Sequence, residues 1–279
     1  MNFYAVGETV CRRLLDMPIE TTEWVVTGAN AEDLIASGFN RHMRDGTLFI
    51  HPESGDLYQL ARSQSFDEEM QTLSYHADAS IQLIDELATR SLTILAMAAD
   101  GDAIIDPYGG QQDIEQGLLR HVNPGFVYTP GNLLITALWA ARLKGWGFKV
   151  AHGTYGLMKK MSASQSIKYL SSGDIGDAVV QAMASPRPSE FFRVLHHCGA
   201  LHMISPQLDA LFVEAIDEQA ESAQQHSTRT LPKVLQMLDE VAATTDNVSY
   251  IIKHFHESLG DNANSIFRAL GLGALFHDG

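Results

Sequence analysis

Cysteine is nearly absent. Cys11 and Cys198 are the two in 279 residues, far apart in the chain and with no second pair to build a metal site. Reduced, buried thiols in a reducing compartment are therefore expected, and a structural disulfide is not. Long apolar runs are also lacking, so no stretch would span a bilayer. The start, Met1-Asn2-Phe3-Tyr4-Ala5-Val6-Gly7, has neither the basic nor the apolar region of a signal peptide. A cytoplasmic protein with no membrane partner is the expectation. Basic charge is scarce: 19 Lys and Arg stand against 34 Asp and Glu, a net charge of -15. Such a balance repels polyanions on average and argues against a general nucleic-acid coat. No fixed-period repeat or low-complexity tract is present. What is there is 45% hydrophobic and 19% charged composition, enough to bury a core, which excludes intrinsic disorder.

Up to about residue 100 the signals are short and mixed. Phe3-Tyr4-Ala5-Val6 reads as a buried strand, Glu8 to Leu15 as a helix stopped before Pro18, and Trp24-Val25-Val26-Thr27 as a second strand ended by Gly28. Ala31 to Ser37 forms a short helix closed by Gly38. Thr47 to His51 and Leu57 to Ala61, around Pro52-Glu53-Ser54-Gly55, make a hairpin. Beyond Asp106-Pro107-Tyr108-Gly109-Gly110 the apolar residues recur at three- and four-residue spacing. Leu133, Leu134, Ala137, Leu138 and Ala141 share a helical face, as do Phe191, Val194 and Leu195, then Leu208, Leu211, Phe212 and Ala215. Leu231 to Ala243 and Ser249 to Leu259 are two more amphipathic helices, split by Thr244-Thr245-Asp246-Asn247. The expected fold class is α+β, a small α/β head followed by an all-helical neck and body.

Several strings in this order carry a resemblance: Val6-Gly7; Trp24-Val25-Val26-Thr27-Gly28; Leu48-Phe49-Ile50-His51-Pro52-Glu53-Ser54-Gly55 with Leu60-Ala61-Arg62; and Arg90-Ser91-Leu92-Thr93-Ile94. Ile105 to Gly110, Leu119-Arg120-His121-Val122, Phe191 to Leu195 and Cys198-Gly199-Ala200-Leu201 continue it. From residue 1 to about 213 the chain resembles the class II tRNA nucleotidyltransferase and poly(A) polymerase family, particularly bacterial CCA-adding enzymes. The resemblance implies a nucleotidyltransferase-type head over residues 1–115, a helical neck over 116–170 and a helical body over 171–279 that is short for the family.

That family moves a nucleotide from CTP or ATP to an RNA 3′ end, using two metal ions held by head carboxylates. Its Asp-x-Asp pair before the second-strand tryptophan is here Thr21-Thr22-Glu23-Trp24, with one carboxylate gone and the other lengthened. Its Gly-Gly turn followed by Arg-Asp is Gly7-Glu8 and then Cys11-Arg12, which sets an anion where phosphates would sit. Its ribose segment, Arg-Arg-Asp with a later Asn, is Thr89-Arg90-Ser91 with Leu95; its base-reading Glu-Asp with Arg is Tyr128-Thr129 with Asn132. Asp85 and Glu86 align with acidic positions before the ribose segment, and Asp56 and Arg62 sit where the family has like residues. The resemblance therefore implies Gly7, Asp56, Arg62, Arg90 and Asn132 as ligand-binding positions. Glu8, Glu23, Asp85, Glu86, His121 and Tyr128 are the candidate catalytic groups of an altered cleft. Trp24 and Phe191 read as core. No metal ligand is assigned, and magnesium enters only where nucleotidyl transfer survives.

The body carries Asp209, Glu214, Asp217, Glu218, Glu221, Asp239, Glu240 and Asp246 against Arg229 and Lys233, a sign that argues against tRNA and DNA as partners. A basic group, Arg142, Lys144, Lys149, Lys159, Lys160 and Lys168, reads as a solvated helix face with some capacity for phosphate. His254 and His256, two apart on a helix, point roughly 200° apart and cannot share one metal; His196 and His197 diverge by roughly 100°. The leading expectation is a degenerate relative of the CCA-adding enzymes that binds a small molecule or a protein partner after losing templated transfer. An enzyme repurposed to new chemistry in the old cleft is the alternative, and residual tRNA binding or nucleotidyl transfer the second.

Overall fold

The computed structural model describes residues 1–42, 46–67, 72–164, 166–213 and 231–273. It divides into two compact units, residues 1–128 and 129–279.

The first unit is built on a seven-stranded mixed sheet. Its strands are β1 (Asn2–Val6), β2 (Glu23–Thr27), β3 (Asn40–Arg41), β4 (Leu48–Ile50), β5 (Leu57–Leu60), β8 (Ala98–Asp100) and β9 (Ala103–Ile105), in the order β3-β4-β5-β2-β1-β8-β9. β2 and β5 run parallel, with Trp24 beside Tyr58 and Val25 beside Gln59; every other neighbouring pair is antiparallel. β6 (Arg62–Asp67) and β7 (Thr72–Ala77) form a separate hairpin. The short helices are α1 (Glu8–Leu14), α2 (Ala31–Ala36), α3 (Leu83–Ala88) and α4 (Gly110–Gln116).

Strand alternation explains why consecutive apolar residues are all buried. Val25 points to one face, packing with Val6, Ala98 and Leu87 of α3. Val26 points to the other, with Leu34 of α2, Phe49 and Leu60. On β8, Ala99 meets Val10 of α1, so helices cover the sheet on both faces. Trp24, expected in the core, is half-buried, one residue into its strand, and its ring stacks on Tyr58 at 5.8 Å. At Gly110 a side chain would strike the Thr93 carbonyl and Met97, and Asp106 receives the Gly110 and Gln111 N–H groups at 2.7 and 2.9 Å, capping α4.

The second unit is helical: α5 (Gly131–Leu143), α6 (His152–Ala163), α7 (Ser172–Met183), α8 (Pro188–His197), α9 (Ala200–Ile204), α10 (Pro206–Val213), α11 (Leu231–Ala242), α12 (Val248–Leu259) and α13 (Ala263–Ala269). α5 is buried on nearly every side, as its uniformly apolar sequence requires. Phe191, Phe192, Phe255 and Phe267 form the aromatic core, with Phe192 and Phe255 rings 5.3 Å apart. The α+β class and the helical second part stand as expected. Ala215, Glu214, Asp217, Glu218, Glu221 and Arg229 lie outside the described residues. Among the described residues, no helix is long and apolar enough to cross a membrane.

Candidate functional site

Five residues singled out in the sequence meet in the first unit. Gly7 ends β1 and begins α1 with φ at 62°, a left-handed value that costs glycine little. A Cβ at Gly7 would lie 2.6 Å from Glu23 Oε2 and 3.1 Å from Arg90 Nη1, so the turn needs glycine for space as well as for backbone. Glu23 opens β2, where its N–H donates to Thr9 Oγ1 at 2.8 Å; the preceding Thr22 N–H donates to Asp56 Oδ1 at 2.9 Å. Asp56 thus pins the start of the strand that presents Glu23.

Arg90 joins the acidic groups. Its Nη1 donates to Glu23 Oε1 at 2.5 Å and its Nη2 to Glu86 Oε1 at 3.1 Å. Glu86, fully buried on α3, also accepts the Arg62 backbone N–H at 2.7 Å and faces the Arg62 guanidinium at 3.4 Å. Two carboxylates and two guanidinium groups therefore close a charge-balanced chain, Glu23–Arg90–Glu86–Arg62. Burial disfavours the charged form of Arg90, but Glu23 and Glu86 outweigh it and hold the guanidinium above its ordinary pKa. The buried Arg90 Nε has no hydrogen-bond partner among the described residues.

Beside Glu23 opens a cavity of about 270 Å³ lined by Glu8, Thr9, Arg12, Glu20, Thr21, Glu23 and Leu57. Glu8 pairs with Arg12 at 2.6 Å, and Arg12 also donates to the Pro18 carbonyl at 3.0 Å. With Glu8 paired to Arg12 and Glu23 to Arg90, Glu20 leaves this cavity a net negative charge and no free cation to meet a triphosphate among the described lining residues. Nor do these groups fit a pair of divalent ions. Thr21 offers a neutral hydroxyl, Glu23 is committed to Arg90, and a second cation beside a buried guanidinium is repelled. Among the described residues, no group of three or more His, Cys, Asp and Glu side chains is placed to hold a metal ion. Thr9 and Glu20 were not singled out in the sequence, and Arg12 was named only in the Cys11-Arg12 pair; only the return of β2 beside α1 makes them neighbours.

The remaining candidates take other places. Asp85 is exposed and accepts the Gln82 N–H at 3.3 Å, capping α3, because one residue along a helix turns it about 100° from Glu86. His121 bridges to Leu92 through its backbone and sets its ring 6.0 Å from Phe126; burial, then Arg120, push its pKa down. Tyr128 packs on Phe66 of the hairpin at 4.1 Å. Asn132 is buried in the first turn of α5, in the second unit. Another network, unforeseen, links buried Asp113 to Thr93 Oγ1 at 2.6 Å and to the exposed Arg120 at 3.0 Å.

Of the histidines, His196 pairs with Asp209 at 2.7 Å, His197 Nδ1 lies 2.7 Å from the Arg193 carbonyl, and His256 meets Asn264 at 3.1 Å. His254 lies 3.9 Å from Glu257. In the basic group, Arg142 lies over Trp139 and Lys144 pairs with Glu190 at 2.9 Å.

No family model matches the chain. Curated relatives do: it is 40% identical over 214 residues to the multifunctional CCA protein of Pseudomonas paraeruginosa strain PA7 and to that of Pseudomonas aeruginosa strain PAO1. Each alignment covers 76% of this chain and 52% of the relative, so the chain spans about half the length of the curated relatives it matches. A CCA-adding enzyme in an apo form shares the fold with a TM-score of 0.62 and 17% identity, over 95% of this chain and 62% of that one. A Thermotoga maritima CCA-adding enzyme complexed with tRNA does so with 0.60 and 16%, over 96% and 77%. A tRNA nucleotidyltransferase complexed with a primer tRNA and an ATP analogue gives 0.58 and 21%, over 98% and 82%.

These tRNA complexes correct the expectation, drawn from charge, that set tRNA aside as a partner. Net charge sums the whole surface, whereas a nucleic acid is gripped by local groups. With 214 aligned residues at 40% identity and the same fold over nearly its whole length, the chain belongs to the tRNA nucleotidyltransferase family that includes the CCA-adding enzymes.

Proposed function

We propose that this member of the family binds tRNA without extending it, templated CTP and ATP transfer having been lost from the head. The observation that carries the reading is the Glu23–Arg90–Glu86–Arg62 chain. The carboxylate nearest the expected metal position is neutralised by a guanidinium, and Thr21 supplies no anion in place of its partner. Two-metal transfer needs anionic ligands that would hold two divalent ions against the attacking oxygen and the departing pyrophosphate, and this donor set does not supply them. The acidic cavity beside Glu23 points the same way, since a triphosphate entering it meets Glu8, Glu20 and Glu23. Binding of tRNA is supported by the complexes that proteins of this fold form.

The test is one incubation read two ways, with a tRNA lacking its 3′ CCA, labelled CTP or ATP, and magnesium. A mobility shift without incorporation of label is expected, with affinity falling steeply as salt rises. Magnesium-dependent incorporation of CMP would overturn the loss of transfer. Absence of a shift at low salt would overturn tRNA binding and leave small ligands and protein partners.

A further inference from the structure

The second unit holds a cavity of about 510 Å³ between α8 and α11, lined by Arg187, Arg193, Lys233, Gln236, Asp239 and Glu240. Its anions are already engaged. Asp239 accepts the Ser189 N–H at 3.0 Å and the Ser189 hydroxyl at 2.6 Å, capping α8, and lies 4.0 Å from Arg187. Glu240 accepts from Gln236 Nε2 at 3.0 Å. The cations are not matched in the same way. Arg193 Nε is buried with no hydrogen-bond partner, and neither Arg193 nor Lys233 has an acidic partner among the described residues.

Arg193 lines this cavity while its Nε lies buried without an acceptor, so its guanidinium is short of hydrogen-bond partners where a ligand could supply them. Guanidinium offers a planar fork suited to paired oxygens, and lysine adds a point charge. Two such cations match a phosphate group, which carries about -1 as a backbone diester and about -1.5 to -2 as a monoester at neutral pH. We propose that this cavity is a phosphate-binding site, in which Arg193 and Lys233 receive the oxygens and Arg187 stands at the rim. Asp239 and Glu240 keep out bulky polyanionic clusters, so the group is a single phosphate, whether from an RNA backbone or a free phosphorylated molecule. The site belongs to the helical unit and does not rest on the reading of the head.

Inorganic phosphate is titrated against the full chain by calorimetry at constant ionic strength, with sulfate and chloride as controls. Arg193→Gln and Lys233→Gln are tested beside the unaltered protein, and circular dichroism checks that each is folded. Lys233 is exposed, so its variant keeps the test open if the other does not fold. Phosphate binding that weakens at least tenfold in either folded variant is the expected result. Equal binding in all three proteins, no binding at all, or an equal response to chloride would overturn the site. The source is read in a second arm with tRNA: an affinity lowered in the variants, with a salt slope reduced by about one per cation removed, assigns the phosphate to RNA. Unchanged tRNA affinity with lost phosphate binding assigns it to a free ligand.

Discussion

Arg90 is the only described residue that touches both Glu23 and Glu86, and its removal leaves Glu86 buried with a weaker partner. Breaking a buried ion pair by deleting one member typically costs about 3–5 kcal/mol, because the other charge stays desolvated. Arg90→Gln is therefore expected to lower the urea midpoint by a loss of about that size, with an unchanged m-value. A loss under about 1 kcal/mol, the worth of an exposed pair, would show that the network is open to solvent. The resemblance had pointed to Gly7, Glu23, Arg62, Glu86 and Arg90 one at a time. That they pair with one another was not legible, since residues 7, 23, 62, 86 and 90 are brought together by sheet order. Cys11 shows the same division. Its burial was expected from type, but burial, then the nearby Glu8, push its thiol up to about 12. At pH 8 both cysteines should react with Ellman's reagent only after denaturant is added, Cys198 being raised by burial as well.

Elements with clear periodicity or turn chemistry could be read in advance. α11 and α12 lie within a residue of expectation, and β4 and β5 pair around the Pro52 to Gly55 turn as expected. The β6–β7 hairpin could not be read, because Arg62-Ser63-Gln64-Ser65-Phe66-Asp67 is polar on both faces and shows no alternation. β8 and β9 have three residues each, too few to establish a period of two. Caps carry part of the stability here. Asp106 satisfies two N–H groups at the start of α4, so Asp106→Ala should cost about 0.5–2 kcal/mol, measured as a shift in the urea midpoint. Asp239 accepts one N–H and one hydroxyl at the start of α8 from across the unit, a role that nothing in its own neighbourhood of the sequence announces.

At the scale of the whole molecule, stability should depend on pH through His121. Burial and Arg120 lower its pKa from the ordinary 6.5, so the unfolded chain takes up a proton that the folded ring resists. The stabilisation is fully present above about 6.5 and is lost as pH falls through the folded value. His121→Gln should flatten this part of the curve in urea titrations between pH 7.5 and 5; an unaltered slope would remove His121 as its source. The class of the fold and the family were written in local strings such as Trp24-Val25-Val26-Thr27-Gly28, because turn chemistry, strand patterning and motif spacing are properties of neighbours in the chain. Partner choice was not, since a net charge of -15 averages over groups that the fold places far apart. Which carboxylate meets which guanidinium, and which guanidinium Nε is buried without an acceptor, was decided by tertiary packing. Pairing energies depend on distance and burial, and the linear order of residues specifies neither.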